Sequence, residues 1–137
     1  MADIPPTPVA RPPAPPRPWS GESPPPRVAP AFSESLGRQV VAVGLEPGTS
    51  LYGLGEAGGP LLRNGRYVIG WNTDAYGYPV GSSPLYQTHP WILAVRADGS
   101  AWGLLADTSY RLFVDLRDSL RVTAEGPAWP VVVFEPG

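Results

Sequence analysis

Trp91-Ile92-Leu93-Ala94-Val95-Arg96-Ala97-Asp98-Gly99-Ser100-Ala101-Trp102-Gly103-Leu104-Leu105-Ala106 reads as two apolar runs joined by a turn. Asp98 and Gly99 both tolerate the positive φ that a tight connection between strands demands, so an Asp-Gly pair in this setting signals a β-hairpin. The strands expected are Trp91–Arg96 and Ala101–Ala106. Arg111–Leu116 and Ser119–Ala124 flank Arg117-Asp118 in the same way and predict a second hairpin. Upstream, Gln39–Val43, Ser50–Leu54 and Arg66–Trp71 are β-branched or aromatic runs. Downstream, Val131–Phe134 lies between Pro130 and Pro136. No segment keeps a 3.6-residue apolar period over ten residues. Eight short strands separated by turn signals predict an all-β fold, an antiparallel β-sandwich or half of a barrel.

The rest of the composition sets limits on function. Of 137 residues 20 are Pro, and twelve of these fall between Pro5 and Pro30. Proline fixes φ, removes an amide donor and restricts the residue before it, so residues 1–32 are expected to form a disordered, Pro-rich tail, leaving 33–137 as the domain. Pro12-Pro13-Ala14-Pro15-Pro16-Arg17 fits a PxxPxR ligand for an aromatic groove, a pattern that also arises by composition in any such tail. All ten basic residues are Arg, against twelve acids. Without clustered cations the chain is expected to bind no nucleic acid. No apolar run is long enough for a membrane helix, and Met1-Ala2-Asp3-Ile4-Pro5-Pro6 is no secretory leader, so a cytoplasmic protein without membrane contact is expected. Zero Cys excludes disulfides and thiolate chemistry. Without a cluster of His, Cys and acids, no metal site and no cofactor are expected.

Between Trp71 and Trp91 the strand pattern stops. Residues 72–90, NTDAYGYPVGSSPLYQTHP, form a long loop holding Tyr76, Tyr78, Tyr86 and His89, the only His. Loops of this length in compact domains are usually functional or disordered. Tyrosine rings stack on the C–H faces of sugars while hydroxyls and amides bond sugar hydroxyls, and the same rings also serve simply to pack a loop onto a sheet.

The order of motifs resembles one family. Leu51-Tyr52-Gly53-Leu54-Gly55-Glu56 resembles the YGLGE signature in the N-terminal β-sandwich of family 31 glycoside hydrolases, the α-glucosidase and α-xylosidase family. Leu62-Arg63-Asn64-Gly65-Arg66-Tyr67, the WN-x-D sequence Trp71-Asn72-Thr73-Asp74, Pro84–Trp91, Ala101–Ser109 and Val133-Phe134-Glu135-Pro136-Gly137 follow in the family's order, covering roughly residues 36–137. The resemblance implies a galactose mutarotase-like sandwich, in part. It also implies that the catalytic carboxylates sit on a (β/α)8 barrel domain or chain. Retaining glycosidases need two carboxyl groups about 5–5.5 Å apart, and no WxDMNE-like nucleophile motif occurs in this chain. The expected function is therefore a non-catalytic module of an α-glycosidase, inactive alone, in a chain read as a fragment, a split gene product or a remnant. Its partners would be an α-glycoside or oligosaccharide and the barrel.

Under the resemblance, the loop carrying Asp74 helps line sugar subsites, with Asp74 accepting charge-assisted hydrogen bonds from sugar hydroxyls and Tyr76 and Tyr78 on the same wall. The competing role for Asp74 is an Asx-turn within its own loop. Trp71 is expected to anchor the loop base. Gly53 and Gly55 are expected to bend the chain sharply, and Glu56 to pair with Arg63 or Arg66. No residue here is expected to be catalytic. Asp115 and Asp118 flank a turn with nothing to separate their pKa values, and His89 is expected to be structural. The alternatives are a stand-alone carbohydrate-binding sandwich, a mutarotase-like enzyme that would pair His with a carboxylate, and a truncated gene remnant.

Overall fold

The computed structural model describes residues 27–135. The expected PxxPxR segment and most of the expected Pro-rich tail lie outside them. Nine strands occur among the described residues: β1 (Ala31–Ser35), β2 (Arg38–Val43), β3 (Ser50–Gly53), β4 (Tyr67–Gly70), β5 (Trp91–Val95), β6 (Ala101–Ala106), β7 (Leu112–Asp115), β8 (Leu120–Ala124) and β9 (Val131–Phe134). They build one sheet of order β1-β2-β8-β7-β4 and a second of order β3-β5-β6-β9, with every pairing antiparallel. The fold is the all-β sandwich expected from the pattern.

Alternation along each strand decides which side chains meet between the sheets. In β5, Ile92 and Ala94 are buried while Trp91, Leu93 and Val95 point outward and are half-buried. Across the larger sheet Val41, Val122, Val114 and Val68 stand in register on four adjacent strands, all buried. Opposite them, Leu51, Ala94 and Trp102 form one buried row, and Ile92 and Leu104 another. All these side chains belong to a single core.

Both predicted hairpins form. In the β5–β6 turn Arg96 N donates to Ser100 O (2.8 Å), Gly99 takes φ 84°, and Asp98 Oδ1 accepts the amide of Ser100 at 2.8 Å. The strand that the sequence does not predict is β1. All five of its residues are exposed, so Ala31–Ser35 has no apolar face to leave a pattern. It is held to β2 through a two-residue turn at Leu36-Gly37, both at positive φ, where an Asn-Gly or Asp-Gly pair is the usual signal.

Beyond β3 the chain turns through Gly53, Leu54 and Gly55, all at positive φ (105°, 67° and 73°). A Cβ at Gly53 would collide with the Trp91 carbonyl, and one at Gly55 would sit 2.6 Å from Gln87 O. The two glycines therefore bend the chain and admit close backbone neighbours, as expected. Buried Arg63 runs into this turn. Its guanidinium donates to the carbonyls of Gly53 (3.2 Å), Gly55 (3.3 Å), Ala57 (3.2 Å) and Pro60 (3.1 Å). Burial, and secondarily the nearby Arg66 cation, hold its pKa below the usual guanidinium value. Asn64 completes the arrangement along β3, accepting from Leu51 N at 2.8 Å and donating to Thr49 O at 2.8 Å.

Candidate functional site: the loop between β4 and β5

The 72–90 loop is pinned at its base and along one flank, while its tip stands free. At the base Thr88 N donates to Asn72 Oδ1 (2.7 Å) and Thr73 N donates to Leu85 O (2.8 Å). Leu85 is its apolar anchor, 4% exposed. Ile69 N donates to Ser83 Oγ at 2.9 Å. The 53–60 turn clamps the flank: Glu56 N donates to Gln87 O (2.9 Å), Gln87 N donates to Glu56 Oε2 (3.0 Å), and Gly58 N donates to Ser82 O (2.9 Å). Glu56 thus accepts from a backbone amide, and it forms no ion pair with Arg63 or Arg66 among the described residues. Arg63 spends its donors on carbonyls, and Arg66 donates to Gly58 O at 2.7 Å.

At the tip Asp74 is exposed and accepts a hydrogen bond from the Tyr76 hydroxyl at 3.0 Å. Tyr76 is nevertheless 85% exposed, and Tyr78, two residues on, is exposed too. Tyr86 donates its hydroxyl to Ala75 O. No Asx-turn bond from Asp74 to its own loop backbone is present among the described residues. The structure therefore groups Asp74 with Tyr76 in direct contact and leaves Tyr78 separate on the same loop. What this arrangement offers chemically is a carboxylate acceptor and phenolic hydroxyls on a solvent-facing surface.

Trp71 sits at the loop base, but its ring is 39% exposed, with the Arg111 guanidinium 5.1 Å from its centroid. It lines an open cleft of about 300 Å³ together with Gly70, Asn72, Thr88, Pro90, Thr108, Ser109, Tyr110 and Leu112. Thr108 and Ser109 close the Ala101–Ser109 motif in sequence, but nothing in their pattern, or in Tyr110 beside them, points to the loop. Only the folded chain carries this segment to the foot of the loop.

The remaining candidates do not form a catalytic set. His89 is exposed and borders a cleft lined by Tyr52, Leu54, Leu61, Arg63 and Trp91; among its described lining residues none is a carboxylate. Asp115 is bound by Arg117 (Nη2–Oδ2 2.5 Å, Nε–Oδ1 2.9 Å), whose hydrogen bonds draw its pKa down to about 2. Asp118 makes no hydrogen bond or ion pair among the described residues. Asp115, held so far down, cannot donate a proton near neutrality. No group of three or more metal-ligating side chains occurs among the described residues.

The family model of the glycosyl hydrolase 31 N-terminal galactose mutarotase-like domain matches residues 18–115. The chain belongs to this family. Alpha-glucosidase 2 of Bacillus thermoamyloliquefaciens is 39% identical over 87 residues, an overlap of 61% of this chain and 11% of that protein. Among solved structures, the family 31 α-glucosidase from Bacteroides thetaiotaomicron superposes with a TM-score of 0.61 at 40% identity, covering 67% of this chain and 16% of that one. The Flavobacterium johnsoniae family 31 dextranase, solved with glucose, gives a TM-score of 0.65 at 25% identity, covering 77% of this chain and 13% of that one. This family 31 N-terminal domain thus spans less than a fifth of the length of each of these relatives.

Proposed function

We propose that this family 31 N-terminal domain works as a non-catalytic module of an α-glycosidase, its 72–90 loop presenting Asp74, Tyr76 and Tyr78 to a saccharide held on a catalytic (β/α)8 barrel. The observation that carries the reading is the loop itself. A tip bearing an exposed carboxylate and exposed tyrosines rests on a clamped base, so the polar groups face outward on a fixed support. The names of the relatives, an α-glucosidase and a dextranase, supply the substrate class, an α-linked glucoside. Hydrolysis needs two carboxyl groups at short separation across one glycosidic bond. Asp74 faces solvent with only Tyr76 on it, and Asp115 is spent on Arg117. Because the chain carries no WxDMNE-like nucleophile motif, cleavage is assigned to the barrel.

The full chain, alone and fused in place of the matching domain of the Bacteroides α-glucosidase, tests this by release of p-nitrophenol from an α-glucoside. The expected result is turnover by the fusion and none by the chain alone. Turnover by the isolated chain, abolished on removal of its own acids, contradicts the assignment.

A further inference from the structure

A second feature lies at the foot of the loop rather than at its tip. The cleft of about 300 Å³ is at the lower end of the size range of small-molecule sites. Two aromatic side chains border it, Trp71 and the 47%-exposed Tyr110. The Arg111 guanidinium stands over the Trp71 ring, 5.1 Å from its centroid. Between the aromatics lie the neutral polar side chains Asn72, Thr88, Thr108 and Ser109. Asn72 uses its oxygen on Thr88 N, and Thr108 uses its hydroxyl oxygen on Tyr110 N at 3.2 Å. The Asn72 amide nitrogen and the hydroxyls of Thr88, Ser109 and Tyr110 have no hydrogen-bond partner among the described residues.

No charged side chain lines the cleft, which argues against an anion or cation as occupant. Unspent hydroxyl and amide groups placed between rings match a molecule with an apolar C–H face and a rim of neutral hydroxyls. We propose that the cleft between Trp71 and Tyr110 binds a neutral pyranose unit of a saccharide, stacked on the aromatic wall and hydrogen-bonded by Asn72, Thr88 and Ser109. This site does not depend on the role of the loop tip. Its residues come from the end of β4 and the start of the loop, from the loop's end, and from the β6–β7 connection with the first residue of β7.

The test is a titration of the full ¹⁵N-labelled chain with glucose, maltose and isomaltose, followed by amide shifts. Saturable shifts are expected at Trp71, Asn72, Thr88 and Thr108–Leu112, with Kd on the order of 1–10 mM. Ser109→Phe fills the cleft without removing a bond within the protein, and Tyr110→Ser removes one wall. Tyr110→Ser is expected to weaken binding about tenfold, the loss of roughly one stacking contact, and Ser109→Phe at least about as much by occupying the cleft, while the remaining spectrum reports that the fold is intact. Asp74→Ala is expected to leave this binding unchanged, so the cleft and the loop tip fail separately. The proposal is overturned if none of the three sugars gives a saturable shift. Shifts confined to residues 74–80 also overturn it, as do cleft shifts that survive both Ser109→Phe and Tyr110→Ser.

Discussion

Val41, Val122, Val114 and Val68 lie side by side on four strands and see no solvent, whereas Tyr76 and Val80 on the loop are 85% and 84% exposed. The first region is held by apolar burial at about 25 cal/mol per Å². The loop is held by hydrogen bonds between its base, its flank and the 53–60 turn, with Leu85 its one deeply buried apolar anchor. The lesson is a division of labour. Substitutions in the sandwich should change stability, and substitutions at the loop tip should change what is bound while leaving stability nearly alone.

Leu104→Ala should break the scaffold most severely. Leu104 is fully buried in the row shared with Ile92, and its truncation is expected to cost about 2–5 kcal/mol, read as a lowered urea midpoint. Arg63→Ala comes next, at about 2–3 kcal/mol. It strips donors from four carbonyls in the turn that clamps the loop, so both regions should respond: the urea midpoint falls and the amides of Gln87 and Gly58 lose exchange protection.

Asp115→Asn should be milder, below about 1 kcal/mol, because the pair with Arg117 is at the surface. Its pH dependence carries the sign. The Asp115 carboxyl titrates near 4 when unfolded and about 2 when folded, so the pair stabilises the fold above about pH 4 and that contribution fades as pH falls towards 2. Replacing Asp115 should flatten urea stability measured across that interval. Tyr76→Phe is the smallest expected change, within about 0.5 kcal/mol, since only an exposed hydroxyl bonded to Asp74 is lost.

The hairpins were readable because Asp98-Gly99 and the apolar runs beside it carry both turn chemistry and alternation. β1 was not, because an exposed edge strand buries nothing and Leu36 takes a positive φ that its side chain does not advertise. Within the loop, aromatic and acidic residues on a stretch without strand pattern marked 72–90. The partners of Glu56 and Arg63 could not be read, since a carboxylate facing two arginines in sequence chose a backbone amide in space, and the guanidinium chose carbonyls. The Trp71–Tyr110 cleft was equally hidden: its walls are 39 positions apart and meet only because β4 and β7 pair.

The most direct measurement is the kcat/KM of the barrel fusion carrying Asp74→Ala, taken beside the urea midpoint of the same variant. Loss of a charge-assisted hydrogen bond to a sugar hydroxyl, about 1.5–3 kcal/mol, corresponds to a fall of roughly 10- to 100-fold. The account predicts that fall on an α-glucoside with an unchanged midpoint. An unchanged kcat/KM, or a fall matched by a lost urea transition, would contradict it.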